Sequence, residues 1–426
     1  MTDYNREKTV IELCTDNSMN FPDFYAQLEL PADDLTIYDA LQKIRAVDRD
    51  VGIEINVINS PYLPELTDTL IDGVSIRELN ILAGRLEQLY REDYGALEKL
   101  NALFLYQKEQ GLYEDGIPMS DLINMTYGTD GIESHRFIGS AEELGKFVVE
   151  NDIDSELSEL SDRVYLLLDY EKVGQQQAKA DKGFFLGGRY YTTVNFEMPD
   201  VYKGETNPDR HYRELQTVFR MKITGSSKIG KFTGISREIC LPSDRAEMDR
   251  LAQECGEKKI EDCVVVHAET AIPQINVPTY QSLADFVRLN AIAKAYTAMS
   301  EQQRMTFKAV LQREKPPTLD DMIDRARNIS DYEIETLACT EPDFFKLYLM
   351  HFADSRLDSD WIQNIVPEKD GVLLLEKLKA KVTEYGIVSG QNQPLYRLVP
   401  YSEPDESEGF HQTDFVEDQN INMGGM

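Results

Sequence analysis

Apolar and polar residues alternate along FYAQLELP (Phe24 to Pro31), which predicts a strand closed by a Leu-Pro turn. Asp33 and Asp34 then open a helical pattern with Ile37, Leu41 and Ile44 on one face, and a second strand is expected from Gly52 to Ile58. The same succession returns about 200 to 211 residues later. REICLPSD (Arg237 to Asp244) repeats the strand and its Leu-Pro turn, AEMDRLAQEC the helix, and Cys263 to Ala268 the next strand. Further on, a helix holding Leu79-Asn80 matches one holding Leu289-Asn290. SDLINMTYG matches DDMIDRARN, and RVYLLLDYEKVG matches GVLLLEKLKAKV.

The pattern implies an internally duplicated α/β (α+β) protein, an array of small mixed domains. It divides into an N-terminal extension (1–21), a first copy (22–190), a connector with strands (191–234), a second, divergent copy (235–400) and a disordered tail (401–426). Within residues 150–172, Glu156, Glu159 and Asp162 recur every third position. Leu157, Leu160, Val164, Leu167 and Leu168 fall on the opposite side, so a helix with one apolar face and one carboxylate row is expected. Like charges at that spacing cost a helix roughly 0.2–0.5 kcal/mol per pair. Stability therefore gives no reason for the row.

Charge sharpens this picture. The chain of 426 residues carries 76 Asp plus Glu against 44 Lys plus Arg, net −32. Residues 1–200 contribute −22, residues 201–400 only −3, and the tail −7, while 201–250 is locally basic. Uniform acidity for solubility would be spread evenly. So acidic a surface repels a phosphate backbone, which argues against duplex binding. A nucleic-acid binder would have to rely on the connector, through Lys222, Lys228, Lys231, Arg210 and Arg213 with Tyr190, Tyr191 and Tyr212.

Residues with catalytic potential form no pattern. Gly225-Ser-Ser-Lys-Ile-Gly230-Lys231 has phosphate-loop spacing, but Phe232 stands where a magnesium-binding hydroxyl belongs, and a β-hairpin is the better reading. The five histidines lack ligand spacing, and the five cysteines are scattered. No nucleophile elbow occurs. The expectation is a protein that is not an enzyme and needs no cofactor or metal. No apolar run approaches the roughly 18 residues of a membrane span, and the N-terminal residues lack a signal core, so a cytoplasmic location is expected.

SIRELN (Ser75 to Asn80), the acidic SELSELSDRVYLLLDYEKVG (Ser155 to Gly174) and the following GFFLG together resemble the ArdA-type antirestriction proteins, a family of DNA mimics, in a long form. The resemblance is close over about 22–190 and divergent over about 215–390. It implies small α/β domains in an elongated, curved, usually dimeric body whose carboxylates stand in for DNA phosphates. Such a body occupies the DNA-binding groove of a type I restriction-modification enzyme and blocks it without chemistry.

Matched positions are Glu78, Leu79, Asn80, Tyr165, Asp169, Tyr170 and Gly174. The phosphate-mimicking set expected from the first copy is Glu78, Glu142, Glu143, Asp152, Asp154, Glu156, Glu159, Asp162, Asp169 and Glu171. In the second copy LADFVRLN carries Arg288 in place of the Glu of SIRELN, which assigns the mimic role to the first copy. The expected partners are the DNA-binding subunits of a restriction-modification enzyme, with no direct nucleic acid and no membrane, and a homodimer is compatible. The alternative is an acidic inhibitor of another nucleic-acid-binding defence complex, such as a CRISPR effector.

Overall fold

The computed structural model describes residues 7–399 except 18–21, 48–51, 70, 73, 114–115, 154–166, 205–208, 227–234, 281–284 and 353–367. The fold is mixed α/β, with helices packed on several small sheets. In the first half, β1 (Thr9–Thr15), β2 (Phe24–Leu30), α1 (Asp34–Lys43) and β3 (Glu54–Asn59) form a three-stranded antiparallel sheet in the order β2-β1-β3. A short parallel ladder joins β4 (Ile71–Asp72) to β5 (Ile117–Pro118) around helices α2 (Ile76–Glu92) and α3 (Tyr94–Glu109), and α4 (Met119–Met125) follows. The half ends in β6 (Glu133–His135), α5 (Ala141–Glu150), α6 (Tyr170–Ala180), β7 (Phe184–Leu186) and β8 (Arg189–Thr192), with sheet order β6-β8-β7.

The second half runs through a like series: β9 (Phe219–Gly225), β10 (Ser236–Leu241), α7 (Arg245–Glu254), β11 (Cys263–Thr270), α8 (Phe286–Ala298), α9 (Glu301–Glu314) and α10 (Leu319–Arg327). It closes with β12 (Ile334–Glu335), α11 (Glu341–Phe352), α12 (Glu368–Leu378), β13 (Lys381–Thr383) and β14 (Gly386–Val388). Its sheets have the orders β10-β9-β11 and β12-β14-β13. In each half the strand before the first helix ends in a cis Leu-Pro bond, Leu30-Pro31 and Leu241-Pro242. The Leu-Asn pairs of the helices have a local reason. Leu79 and Leu289 are buried, while the Asn80 amide brackets the backbone of Ala32 (2.7 and 2.9 Å) and Asn290 that of Ser243 (both 2.9 Å).

Three expectations change. Residues 9–15 are not an extension but the central strand of the first sheet, and they read as TVIELCT, with Ile11 and Leu13 inward. Likewise the connector contains β9, the central strand of the second sheet, paired from Phe219 to Gly225 with both neighbours. The register of the last match also shifts. A Cβ on Gly174 would meet the carbonyl of Ala141, the first residue of α5, and one on Gly371 that of Glu341, the first residue of α11, so Gly174 answers to Gly371. The phosphate-loop-like segment lies largely outside the described residues, and the strands β9 and β10 on either side of it pair antiparallel.

Helix α1 is the seam between the halves. Asp33 caps it by accepting from the Leu35 and Thr36 N–H groups. Ile37, Ala40, Leu41 and Ile44 enter the first core, whereas Leu35 and Tyr38 belong to the core of the second half. A one-faced helix was expected; this one is buried on two sides. Asp39 receives Lys308 Nζ at 2.5 Å and the Tyr385 hydroxyl at 2.7 Å, both from the second half. Lys308 is 0% exposed and lies 5.7 and 5.4 Å from the ring centres of Tyr38 and Tyr385. Tyr38 donates to Glu301 (2.6 Å), and Arg45 to the carbonyls of Thr336 and Glu384. Burial alone would raise the Asp39 carboxyl, but the charges of Lys308 and Lys43 outweigh it and hold Asp39 below its ordinary value.

Candidate functional site

The outward face of the first sheet is built by alternation. With Phe24, Ala26, Leu28 and Leu30 inward, β2 turns Tyr25, Gln27 and Glu29 to solvent. β1 adds Val10 and Glu12, its next outward position being the buried Cys14, and β3 adds Glu54, Asn56 and Ile58. None of these outward positions is Lys or Arg. Register then sets the spacing: Glu29 lies opposite Val10, Glu12 is two residues further along β1, and Glu54 lies opposite Cys14, two further again. The three carboxylates form a diagonal row across three strands. Diagonal neighbours of this kind are about 7–8 Å apart, a separation of the same order as that between successive phosphates of one DNA strand.

The matching face of the second sheet has another character. There the same diagonal reads Cys240, Lys222 and Val264. Arg220 adjoins it and is held by Glu269 at 2.8 Å, with Asp34 at 3.5 Å. One half presents a free carboxylate row where the other presents a balanced surface.

A second group of acids sits where α5 and α6 cross. Cβ atoms at Gly145 and Gly174 would each lie 1.8 Å from a carbonyl of the facing helix, Tyr170 and Ala141 respectively, so only glycine permits this approach. The crossing sets the first turn of one helix against the first turn of the other. It brings together Glu142, Glu143, Asp169 and Glu171, four exposed carboxylates. Their helical position is favourable, because the N-terminal end of a helix carries partial positive charge. Glu143 accepts from the Gly139 N–H at 2.7 Å and Glu142 from Lys146 at 2.6 Å. Asp169 caps α6 and pairs with Lys172 at 3.1 Å, and these hydrogen bonds hold its carboxyl below the ordinary value. Asp152 is exposed but lies beyond the far end of α5.

Glu78 is corrected. It is only 8% exposed, its carboxylate accepts the Ser75 hydroxyl at 2.9 Å and the Tyr202 hydroxyl at 3.1 Å, and Ser75 in turn caps α2. A carboxylate so enclosed holds a helix start and faces no partner. Asp154, Glu156, Glu159 and Asp162 lie outside the described residues, as does Tyr165. The expectations therefore hold together only for the four acids at the helix crossing. Glu12, Glu29 and Glu54 were missed: Glu29 was readable from the alternation of β2, but the row needs the register of three strands.

Of the connector residues a nucleic-acid binder would use, Lys222 is exposed. Tyr190, Tyr191 and Tyr212 are buried and unable to stack on bases, and Lys228 and Lys231 lie outside the described residues. A cleft of about 380 Å³ between α3 and the β7–β8 hairpin is lined by the ion-paired Glu98 and Arg189 with Asn101 and Tyr191. Among the described residues no group of three His, Cys, Asp or Glu is placed to hold a metal, and no helix is long and apolar enough to cross a membrane. No family model matches the chain, and no curated protein matches it.

Proposed function

We propose that this protein is a cytoplasmic DNA mimic of the ArdA type, which occupies the DNA-binding groove of a type I restriction-modification enzyme and excludes DNA without catalysis. The observation that carries this reading is the diagonal Glu29-Glu12-Glu54 on a sheet face whose described outward strand positions include no Lys or Arg. The four acids at the α5–α6 crossing add a second anionic group on the same half. We also read the chain as an internal duplication. The support is the shared strand order and the Asn80 and Asn290 brackets. In this reading the near-neutral second half is a scaffold that supports the acidic one.

The test is competition against duplex DNA on a type I methyltransferase. The protein displaces DNA at low salt, and displacement weakens steeply as salt rises, because exposed charges are screened. Replacing Glu12, Glu29 and Glu54 with Gln lowers the affinity by about tenfold per carboxylate, the scale of one charge-assisted contact. Failure of the wild-type protein to displace DNA at low ionic strength sinks the reading.

A further inference from the structure

One surface feature of the acidic half is not explained by charge. Tyr90 lies in the last turn of α2 and Tyr94 opens α3, with a single residue, Asp93, outside both helices. Asp93 caps α3 through the Ala96 N–H at 3.0 Å and so fixes the junction. Tyr62 packs beside Tyr90 with the rings tilted and their centres 4.9 Å apart, and Tyr94 meets Tyr90 edge-on at 6.0 Å. Yet Tyr90 is 48% and Tyr94 64% exposed. Among the described residues neither hydroxyl of this exposed pair makes a hydrogen bond.

The ring faces carry negative quadrupole charge. Around them lie the exposed Glu92 and the carboxylate of Asp93, while Arg91 and Lys8 are both drawn to Glu87. The chain uses the same chemistry internally, with the Arg85 guanidinium 3.9 Å from the centre of the Tyr127 ring. An apolar partner would strand Glu92 and Asp93 against a dry surface, and a nucleic-acid base would bring phosphates to a half with net charge −22.

We infer that Tyr62, Tyr90 and Tyr94 form a docking patch for an arginine side chain from the basic groove of the protein's target. This rests on the DNA-mimic reading and deepens it. The carboxylates supply long-range attraction that salt removes, and the aromatic patch supplies a short-range hold that salt leaves largely intact. Guanidinium is favoured over ammonium because its plane stacks on a ring and it is less strongly hydrated. Paired tyrosine and arginine contacts are frequent energetic centres of protein interfaces.

Binding of fluorescein-labelled octa-arginine, followed by anisotropy over a salt series, tests the patch without knowledge of the target. Tyr90→Ala with Tyr94→Ala is expected to weaken binding about fivefold to thirtyfold, the range of two cation–π contacts, at every salt concentration with an unchanged salt slope. Tyr90→Phe with Tyr94→Phe stays within twofold of wild type, and both variants keep the wild-type melting temperature. An alanine pair that binds within twofold of wild type, or one whose salt slope falls as a lost charge would make it fall, overturns the inference. DNA displacement from the methyltransferase separates the two claims. Wild type and the alanine pair displacing DNA equally defeats the patch and leaves the mimic standing. Wild type failing to displace DNA while octa-arginine behaves as expected defeats the mimic and leaves an arginine site.

Discussion

The first sheet of each half, β2-β1-β3 and β10-β9-β11, has the same arrangement of strands and a different set of side chains on its outer face. Across the first, the diagonal is Glu29, Glu12, Glu54; across the second it is Cys240, Lys222, Val264. Inward positions are apolar in both, with Ile11 and Leu13 answered by Met221 and Ile223. Packing constrains one face of a strand and leaves the other open to change, since successive side chains point to opposite sides. One scaffold can thus carry a carboxylate row in one place and a balanced surface in another.

The strongest way to break this comparison is to separate the halves. Asp39→Asn leaves Lys308 buried without its counter-charge and is expected to cost about 3–5 kcal/mol, read from chemical denaturation. The wild-type contribution of Asp39 is fully present above the ordinary carboxylate value and is lost only as pH falls through its depressed value, so the seam withstands mild acid. In the variant the sign stays the same and the window moves to higher pH. The unfolded chain then binds the extra proton on Lys308, and stability rises with pH toward the ordinary lysine value of about 10.4.

Next comes exchange of the diagonals. Glu12→Lys in the first sheet should reduce DNA displacement more than tenfold, since it adds repulsion to the loss of one contact, while Lys222→Glu in the second should change it less than twofold. A large effect of Lys222→Glu would show that both faces meet the target. Gly145→Val forces α5 from α6, because the new Cβ would lie 1.8 Å from the Tyr170 carbonyl oxygen. It should cost about 1–3 kcal/mol as overpacking and disperse the four acids there, lowering displacement as well as the melting temperature. The smallest expected effect is that of Glu78→Gln, about 1 kcal/mol of stability through the weakened helix start, with displacement unchanged. Those last two outcomes distinguish an acid that faces a partner from one that holds a fold.

Much of the architecture was legible in the chain. The alternation of FYAQLELP marked β2 to within one residue, and the Leu-Pro turns and Leu-Asn pairs marked matching places in the two halves. Position 12 was not legible, because TVIELCT is a strand whose neighbours are found only through long-range pairing. Glu78 had a readable local signal, since Ser75-Ile-Arg-Glu78 has the spacing of a helix cap. Its resemblance to a family motif obscured that simpler meaning. The Gly145–Gly174 contact also escaped, because glycines 29 residues apart say nothing of each other until the helices cross.

The seam bears on how such a chain can be shortened or cut. Leu35, Tyr38 and Asp39 are contributed by the acidic half but are enclosed by the other. A proteolytic nick between residues 193 and 209 would break the covalent link and leave the pieces bound, so that they migrate together on a native gel and part only in denaturant. A gene trimmed to its acidic portion would instead encode a product with those side chains bare and prone to aggregate, and so the near-neutral half is retained for as long as the acidic one is used.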